Sequence, residues 1–444
     1  MRFLLLVLGL WLGLGLGLAG PAPAGPPGPV TDGMYVATPE PEVALGRLLF
    51  WDPVLSGNRN ISCGTCHNPR FGTGDGVSLG LGEGGVGLGP ERRPDPRNLP
   101  EQRIPRNAPA LFNLGAREFT VLFHDGRIEA DPARASGLRT PLEDDMTLGF
   151  SGVLSAQTMF PVLSGDEMAG HYSENEVSRA VRLGRITGEG GAWDLISDRV
   201  AAIPDYAARF AQVYPDIAAG RDIAFTDISN AIAAFVAFEW RSDGSAFDAH
   251  LRGTAPLQGA AAAGMDLFYG KAGCSDCHSG PFLTDHDFHA MGAPQLGPGK
   301  AARFEDHARD LGRMRVTGDP ADAYAFRTPS LRNVAATGPW GHGGGHADLR
   351  AFVVDHLDPV PALERWNRQA AVLPPLDGAR DWRVMDDAAE RAAIAAAAAR
   401  PAVALSGEEI DALIAFLDSL TDRAALDGRL GIPETVPSGL PVDR

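Results

Sequence analysis

Positive charge is scarce in this chain. Its 39 lysines and arginines face 56 aspartates and glutamates, a formal net charge of −17. A surface of that sign repels a phosphate backbone and argues against nucleic acid as a partner. It suits a basic redox partner, or serves solubility alone. Cysteine is scarce too: there are four in 444 residues. All four fall in two short motifs, so none is available for a lipid. Beyond the first two dozen residues, no apolar run reaches the ~20 residues that a membrane-spanning helix needs. Sustained apolar–polar alternation, the mark of a half-buried strand, is also missing. The fold class expected is therefore mainly α.

What the chain does contain is Cys63-Gly-Thr-Cys66-His67 and Cys274-Ser-Asp-Cys277-His278. Each is a C-x-x-C-H haem-attachment motif. Two thiols at this spacing can form thioethers to the two vinyl groups of one haem, and the following histidine then lies under the iron. A redox C-x-x-C needs no such histidine, and a zinc site needs ligands that converge from a distance. Two matches with no cysteine left over point to two covalently bound haems c, with His67 and His278 as proximal ligands.

Arg2, the apolar run Phe3–Leu18 and the Ala22-Pro-Ala24 end have the layout of a secretory signal. Residues 1–24 are therefore expected to be a cleaved signal peptide rather than a membrane anchor. The mature protein is expected to be exported without a stable membrane span. For a bacterial c-type cytochrome, that places it in the periplasm. The remaining chain of about 420 residues is long for one domain and comfortable for two. The division expected is an N-terminal haem domain at 25–240 and a C-terminal one at 241–444, with the junction in 241–258.

Helical patterning is expected over Pro41–Phe50, Glu176–Leu183, Pro204–Val213, Thr226–Trp240 and Gly259–Tyr269. Ser173 and Glu176 offer a capping box for the second of these, and Ser406 and Glu409 one for the last helix of the chain. That last helix repeats Ile410, Leu413, Ile414, Leu417 and Leu420 at helical spacing. Asp381–Arg400 reads as a solvated alanine-rich helix. Nine glycines between Gly72 and Gly89 mark a long loop. Both halves run helix, C-x-x-C-H, long loops, closing helix, in the manner of a divergent repeat.

Around the two motifs lie Arg106-Asn-Ala-Pro109, Phe123-His-Asp-Gly-Arg127 and Phe160-Pro-Val-Leu-Ser-Gly-Asp-Glu-Met168. Asp310-Leu-Gly-Arg313, Thr317-Gly-Asp319, Phe326-Arg-Thr-Pro-Ser-Leu-Arg-Asn-Val334 and Thr337-Gly-Pro-Trp340 follow. In this order, over nearly all of the mature chain, they resemble the bacterial diheme cytochrome c peroxidases and their MauG-type relatives. The resemblance implies two cytochrome c-like haem domains with long haem-wrapping loops. It implies a peroxidatic haem in the N-terminal half and an electron-transfer haem in the C-terminal half. Glu167 aligns with the family's distal glutamate, a general base for peroxide, and Gln157 with its distal glutamine. Asn107, with the Thr337 and Pro339 carbonyls, aligns with a calcium site whose oxygen-only ligation suits a hard cation.

Three departures from the family pattern shape the expectations. Many members carry a removable histidine after the first haem, but 68–123 contains no His, Met, Cys, Tyr or Lys. The first haem is expected to be open in the diferric protein. Counting forward from Pro339 puts His356 at the second haem's distal position, where the family usually has methionine or tyrosine; His342 and His346 are rivals. His124 stands where the family usually has an inter-haem tryptophan. Arg127 and Arg332 are candidates for pairing with haem propionates. His171 and Tyr172 are expected to be exposed. The activity implied is a cytochrome-c peroxidase-type oxidoreductase, reducing hydrogen peroxide with electrons from a small cytochrome c or a cupredoxin. The alternative is MauG-like oxidation of residues in a partner protein. A plain electron-transfer cytochrome is a third reading, against which Glu167 and Gln157 argue. A homodimer is compatible with the resemblance.

Overall fold

The computed structural model describes residues 25–301, 305–398 and 400–444; the signal peptide expected at residues 1–24 lies outside them. Many helices and few strands make up the described residues. The helices that frame the two motifs include, in chain order, α1 Glu40–Trp51, α2 Glu176–Arg182, α3 Ala192–Ala201, α4 Pro204–Val213, α5 Phe225–Glu239, α6 Ala246–Leu251, α7 Gly259–Phe268, α8 Leu349–Leu357, α9 Ala388–Ala397 and α10 Gly407–Asp418. Strands run to two or three residues. Val121–Leu122, Ile128–Ala130 and Leu138–Arg139 form an antiparallel trio, and Phe288–Ala290 pairs antiparallel with Ala325–Arg327. Among the described residues, no helix is long and apolar enough to cross a membrane.

Each half is built on one close helix crossing. In the first, α1 leads towards Cys63 and packs along α5. Gly46 lies so near the Ala231 carbonyl that a Cβ would overlap it. In the second, α7 leads into Cys274 and packs along α10, with Gly264 equally close to the Ala412 carbonyl. Aromatic side chains fill the space beside each crossing. Phe50 meets Trp51, Phe235 and Trp240 at centroid distances of 5.4, 5.4 and 5.2 Å. Phe416 meets Phe247 and Phe268 at 5.3 and 5.1 Å. Fully burying such a side chain contributes about 1.5–3 kcal/mol. The helix–motif–helix repeat read from the sequence is therefore also a repeat in packing.

Local expectations fared unevenly. The α2 cap is Asn175, not Ser173: Asn175 Oδ1 accepts from Ser178 N at 2.9 Å, and Ser178 Oγ accepts from Asn175 N at 3.2 Å. Ser173 has a left-handed φ of 62°, and its hydroxyl accepts from Arg182 instead. The stretch 381–400 is not one solvated helix. Asp387 breaks it and caps α9, accepting from Ala389 N at 2.8 Å. Ile394 is buried among Leu363, Val384 and Met385. The junction 241–258 holds α6, capped by Ser245 and anchored by fully buried Phe247.

The end of the chain returns to the first half. Val436 and Ala425 join its core, Ser438 Oγ donates to Asp52 Oδ1 at 2.6 Å, and Gly431 N donates to Glu239 Oε1 at 2.8 Å. Buried polar contacts also tie residues before 240 to residues after it. Arg106 reaches Asp310 at 2.6 Å and Asp125 at 2.8 Å, and Arg103 reaches Asp381 at 2.8 Å. Ser78 exchanges hydrogen bonds with Val372, and its hydroxyl donates to the Gly344 carbonyl at 2.5 Å. The glycine-rich loop is thereby pinned against the second half.

Candidate active site

The first motif forms a single helical turn, Cys63–Cys66. Thr65 Oγ1 caps it by accepting from Ser62 N at 3.0 Å and donates to Asp443 Oδ2 of the returning tail at 2.5 Å. Gly64 lies flat on the Trp51 indole, where any Cβ would clash. His67 N donates to Cys63 O at 2.9 Å, which closes the turn. Its Nδ1 lies 3.0 Å from Thr73 O. A carbonyl only accepts, so Nδ1 carries the proton and Nε2 keeps its lone pair. The second motif repeats this arrangement, with His278 Nδ1 3.2 Å from Leu283 O. Burial keeps both rings neutral: it lowers the His67 pKa and takes that of His278 to about 4.

A cavity of ≈340 Å³ lies over the second motif, lined by Cys274, Cys277, His278 and His356 among others. His356 lies near the end of α8 and faces His278 with ring centroids 6.5 Å apart. Two imidazole nitrogens that each bind one metal ion at about 2 Å put their ring centres roughly 6 Å apart. The pair therefore fits a haem iron held from both sides. Burial pushes the His356 pKa down to about 3, so its lone pair is also free. The rival histidines are engaged elsewhere. His346 Nε2 lies 2.8 Å from Asp355 Oδ2, and His342 stacks on Phe326 at 3.7 Å. Two polar atoms of residues lining this cavity, Arg400 Nε and His346 Nδ1, are buried without a partner, as is Trp51 Nε1 beside the first motif. Unpaired buried polar atoms of this kind, donors on Arg400 and Trp51 and a ring lone pair on His346, suit the polar edge of a bound macrocycle.

Glu167 lies in the turn Gly165–Ala169. Gly82 packs so tightly on Asp166 O and the Glu167 backbone that a side chain there would displace the turn. Burial raises the Glu167 pKa, while Lys300 and Arg127 oppose the rise. Glu167, Arg92 and Asp75 all lie within electrostatic range of Cys66. Gln157 lines the large cavity beside Phe123 and His124, so the cavity extends from the second motif towards the Gln157 side. His124 lies within this span. Burial, then the charges of Arg106, His342 and Arg327, hold it well below its ordinary pKa as a neutral ring.

Asn107, Thr337 and Pro339 line the same cavity. Asn107 Nδ2 donates to Val77 O at 2.9 Å, which leaves its Oδ1 for a cation. Arg332 does not have the freedom a propionate partner needs. It is locked on Asp248 at 2.8 Å and on the Pro281 carbonyl. Arg127 is paired with Asp125 at 2.7 Å. His171 is buried, with Nδ1 3.2 Å from Asn98 Oδ1, contrary to the exposure expected of it; Tyr172 is exposed. Cys277, Asp285 and His289 lie close enough to suggest a metal cluster, but Cys277 belongs to the haem motif. Sequence reasoning missed Lys300, which the fold brings within electrostatic range of Glu167 from 133 positions away. The one sequence signal that could have found it is rarity, since the chain has only two lysines, Lys271 and Lys300.

The family model described as di-haem cytochrome c peroxidase matches residues 40–256. The methylamine utilization protein MauG of Methylorubrum extorquens is 32% identical over 322 residues, 72% of this chain and 69% of that protein. A cytochrome c551 peroxidase of Nitrosomonas europaea is 29% identical over 310 residues, 70% of each chain. Among solved structures, a MauG-like protein associated with microbial copper homeostasis superposes with a TM-score of 0.56 at 27% identity, covering 90% of this chain and 94% of that one. The diheme peroxidase BthA from Burkholderia thailandensis gives 0.53 at 21% identity over 95% of this chain and 98% of that one, a likeness of fold alone.

Proposed function

Because the chain belongs to the di-haem cytochrome c peroxidase family, and is thereby a peroxidase-type oxidoreductase with two haem groups, we propose that it reduces hydrogen peroxide to water in the periplasm. Electrons come from a small cytochrome c or a cupredoxin. Cys63, Cys66 and His67 would hold one haem, and Cys274, Cys277, His278 and His356 the other. Two cytochrome c-like domains, 25–240 and 241–444, carry them, with the tail crossing back to the first. When bound, the two haems would supply redox-active iron, for peroxide chemistry at the first motif and electron transfer at the second.

The protein's own groups do the rest. His67 keeps its Nε2 lone pair available because its Nδ1 proton is fixed on Thr73 O. Glu167, as a carboxylate, takes the proton from the peroxide oxygen nearer His67 and returns it to the departing one, so that the O–O bond breaks heterolytically. Gln157 offers an amide hydrogen bond to the bound peroxide. The Asn107 side chain and the Thr337 and Pro339 carbonyls would hold a calcium ion. The observation that carries this reading is the half-buried Glu167 within electrostatic range of Cys66 in the first motif, together with a following segment, 68–123, that has no His, Met, Cys, Tyr or Lys.

The MauG-like alternative draws on a specific observation. His356 rather than methionine opposite His278 lowers the second haem's potential and eases storage of oxidising equivalents for a partner protein. The two readings separate in one experiment, in which diferric holoprotein is mixed with peroxide and excess reduced small cytochrome c, without pre-reduction. Rapid catalytic oxidation is the expected result. Stoichiometric peroxide consumption that leaves a long-lived oxidised spectrum would instead favour a protein substrate.

A further inference from the structure

We propose that Trp366 and Trp382 form a two-step path that carries an oxidising equivalent from the second haem site to the protein surface, where Trp382 is the residue that a one-electron reductant meets. This rests on the reading of the protein as a diheme enzyme that consumes peroxide.

Trp366 is the inner end of the path. It lines the cavity that contains His278 and His356, and its Nε1 donates to the carbonyl of Gly345, another lining residue, at 2.9 Å. It ends the short helix Pro359–Arg365. Arg365 of that helix donates to Asp355 at 2.9 Å, the residue before His356 on α8. The indole is thus tied to the element that carries the candidate distal histidine. Trp382 is the outer end. Its ring centroid lies 6.0 Å from that of Trp366, with 46° between the two planes, and it is partly exposed. Its backbone is held on both sides. Asp381 accepts from Arg103 at 2.8 Å and, through its carbonyl, from Gly297 N at 2.9 Å. Asp386 N donates to Trp382 O at 2.8 Å.

Packing accounts for Trp366, which lies against the small core of Leu363, Val384 and Met385. Trp382 lies outside that core. Arg368 sits 5.3 Å from its ring centre, within cation–π range, and is itself paired with Asp386, so the positive charge that would oppose loss of an electron is answered. Trp51, Trp193 and Trp240 are buried, and Trp340, which also lines the cavity, packs into the second core. An indole gives up an electron more readily than a phenyl ring, so two indoles in contact can pass a hole where phenylalanine cannot. The oxidant is the peroxide that the enzyme consumes, which takes two electrons on going to water. One electron leaves the Trp382 ring and moves through Trp366 to the second haem site. The Nε1 proton of Trp382 goes to water, which leaves a neutral indolyl radical. An outside reductant returns one electron, a proton re-adds from water, and the resting indole is restored. Trp366 keeps its proton, because its partner is a carbonyl and only accepts a hydrogen bond. It is therefore the relay, and Trp382 the terminus.

The test is freeze-quench electron paramagnetic resonance of intact diferric holoprotein mixed with one equivalent of peroxide and no reductant. Spectra are compared for the wild type with ordinary and with ring-deuterated tryptophan, and for Trp382→Phe, Trp366→Phe and Trp340→Phe. The wild type should give an organic radical whose hyperfine lines narrow on deuteration of tryptophan. Trp382→Phe and Trp366→Phe should each lose that signal while keeping the resting haem spectra, and Trp340→Phe should retain it. No organic radical, a radical that does not narrow with deuterated tryptophan, or one that survives in Trp382→Phe would overturn the proposal and leave the peroxide reading standing. Survival in Trp366→Phe with loss in Trp382→Phe would overturn the relay, and equal loss in all three variants would overturn the path. A wild type whose haem spectrum peroxide does not change would overturn the peroxide reading and this proposal together.

Discussion

At the scale of single residues, covalent and coordinative chemistry is what the sequence displays most openly. A C-x-x-C-H motif is local, so Cys63, Cys66, His67 and their second-half counterparts can be named before any fold is known. His356 needed a count through the family pattern, and its ring then lies 6.5 Å from that of His278. Lys300 was illegible because its meaning depends wholly on what the fold sets beside it. If His356 is the sixth ligand, His356→Ala should abolish the low-spin ferric signal of the second haem, while His346→Ala should keep it. His356→Met should keep a low-spin haem and raise its potential, because thioether coordination favours the ferrous state. Electron paramagnetic resonance with potentiometric titration reads both effects. Loss of the low-spin signal in His346→Ala but not in His356→Ala would reassign the ligand.

Elements were legible where a cap or a long period announces them. Ser406 and Glu409 close α10 as the capping box foretold, with Glu409 N donating to Ser406 Oγ at 3.2 Å. The period of Thr226–Trp240 gives α5 to within a residue at either end. The two- and three-residue strands could not be read, because alternation needs at least four residues to register. Asn175 displaced Ser173 as a cap because the chain turns left-handed at Ser173. The α1–α5 and α7–α10 crossings were also out of reach, since a lone glycine in a helix does not say what approaches it. They carry their own prediction. Gly46→Ala and Gly264→Ala each force a methyl group against a carbonyl of the facing helix, and should each cost roughly 1–3 kcal/mol in urea unfolding of the holoprotein. A neutral Gly264→Ala would mean that α7 and α10 sit further apart than described.

At the scale of the whole molecule, the large cavity is lined by residues from both halves of the chain, and a buried ionic cluster joins them. Arg106 lies between Asp125 from the first half and Asp310 from the second, with all three side chains almost wholly out of water. None of this was visible in the sequence beyond Arg106 and Asp310 falling in family segments, because partners 204 positions apart meet only once both halves have folded. Burial pushes the carboxyl pKa values up, but Arg106 outweighs it. With Arg127 it holds Asp125 at about 2, and it holds Asp310 well below the ordinary 3.8. A carboxylate whose pKa is depressed by folding contributes stability that is present above its unfolded value near 3.8. That contribution is lost as pH falls through the folded value. The wild type should therefore weaken between about pH 4 and pH 2. Arg106→Met leaves two buried carboxylates short of their cation and should cost about 3–5 kcal/mol at neutral pH. It should also blunt the acid loss, because burial alone raises the carboxyl pKa and protonation then relieves the penalty rather than breaking a pair. Urea unfolding of the holoprotein from pH 7 down to pH 3 measures both effects. An Arg106→Met profile parallel to that of the wild type across that range would mean that the acid-sensitive contacts lie outside this cluster, and that the two halves are held together by packing and by the Ser78 and Arg103 links.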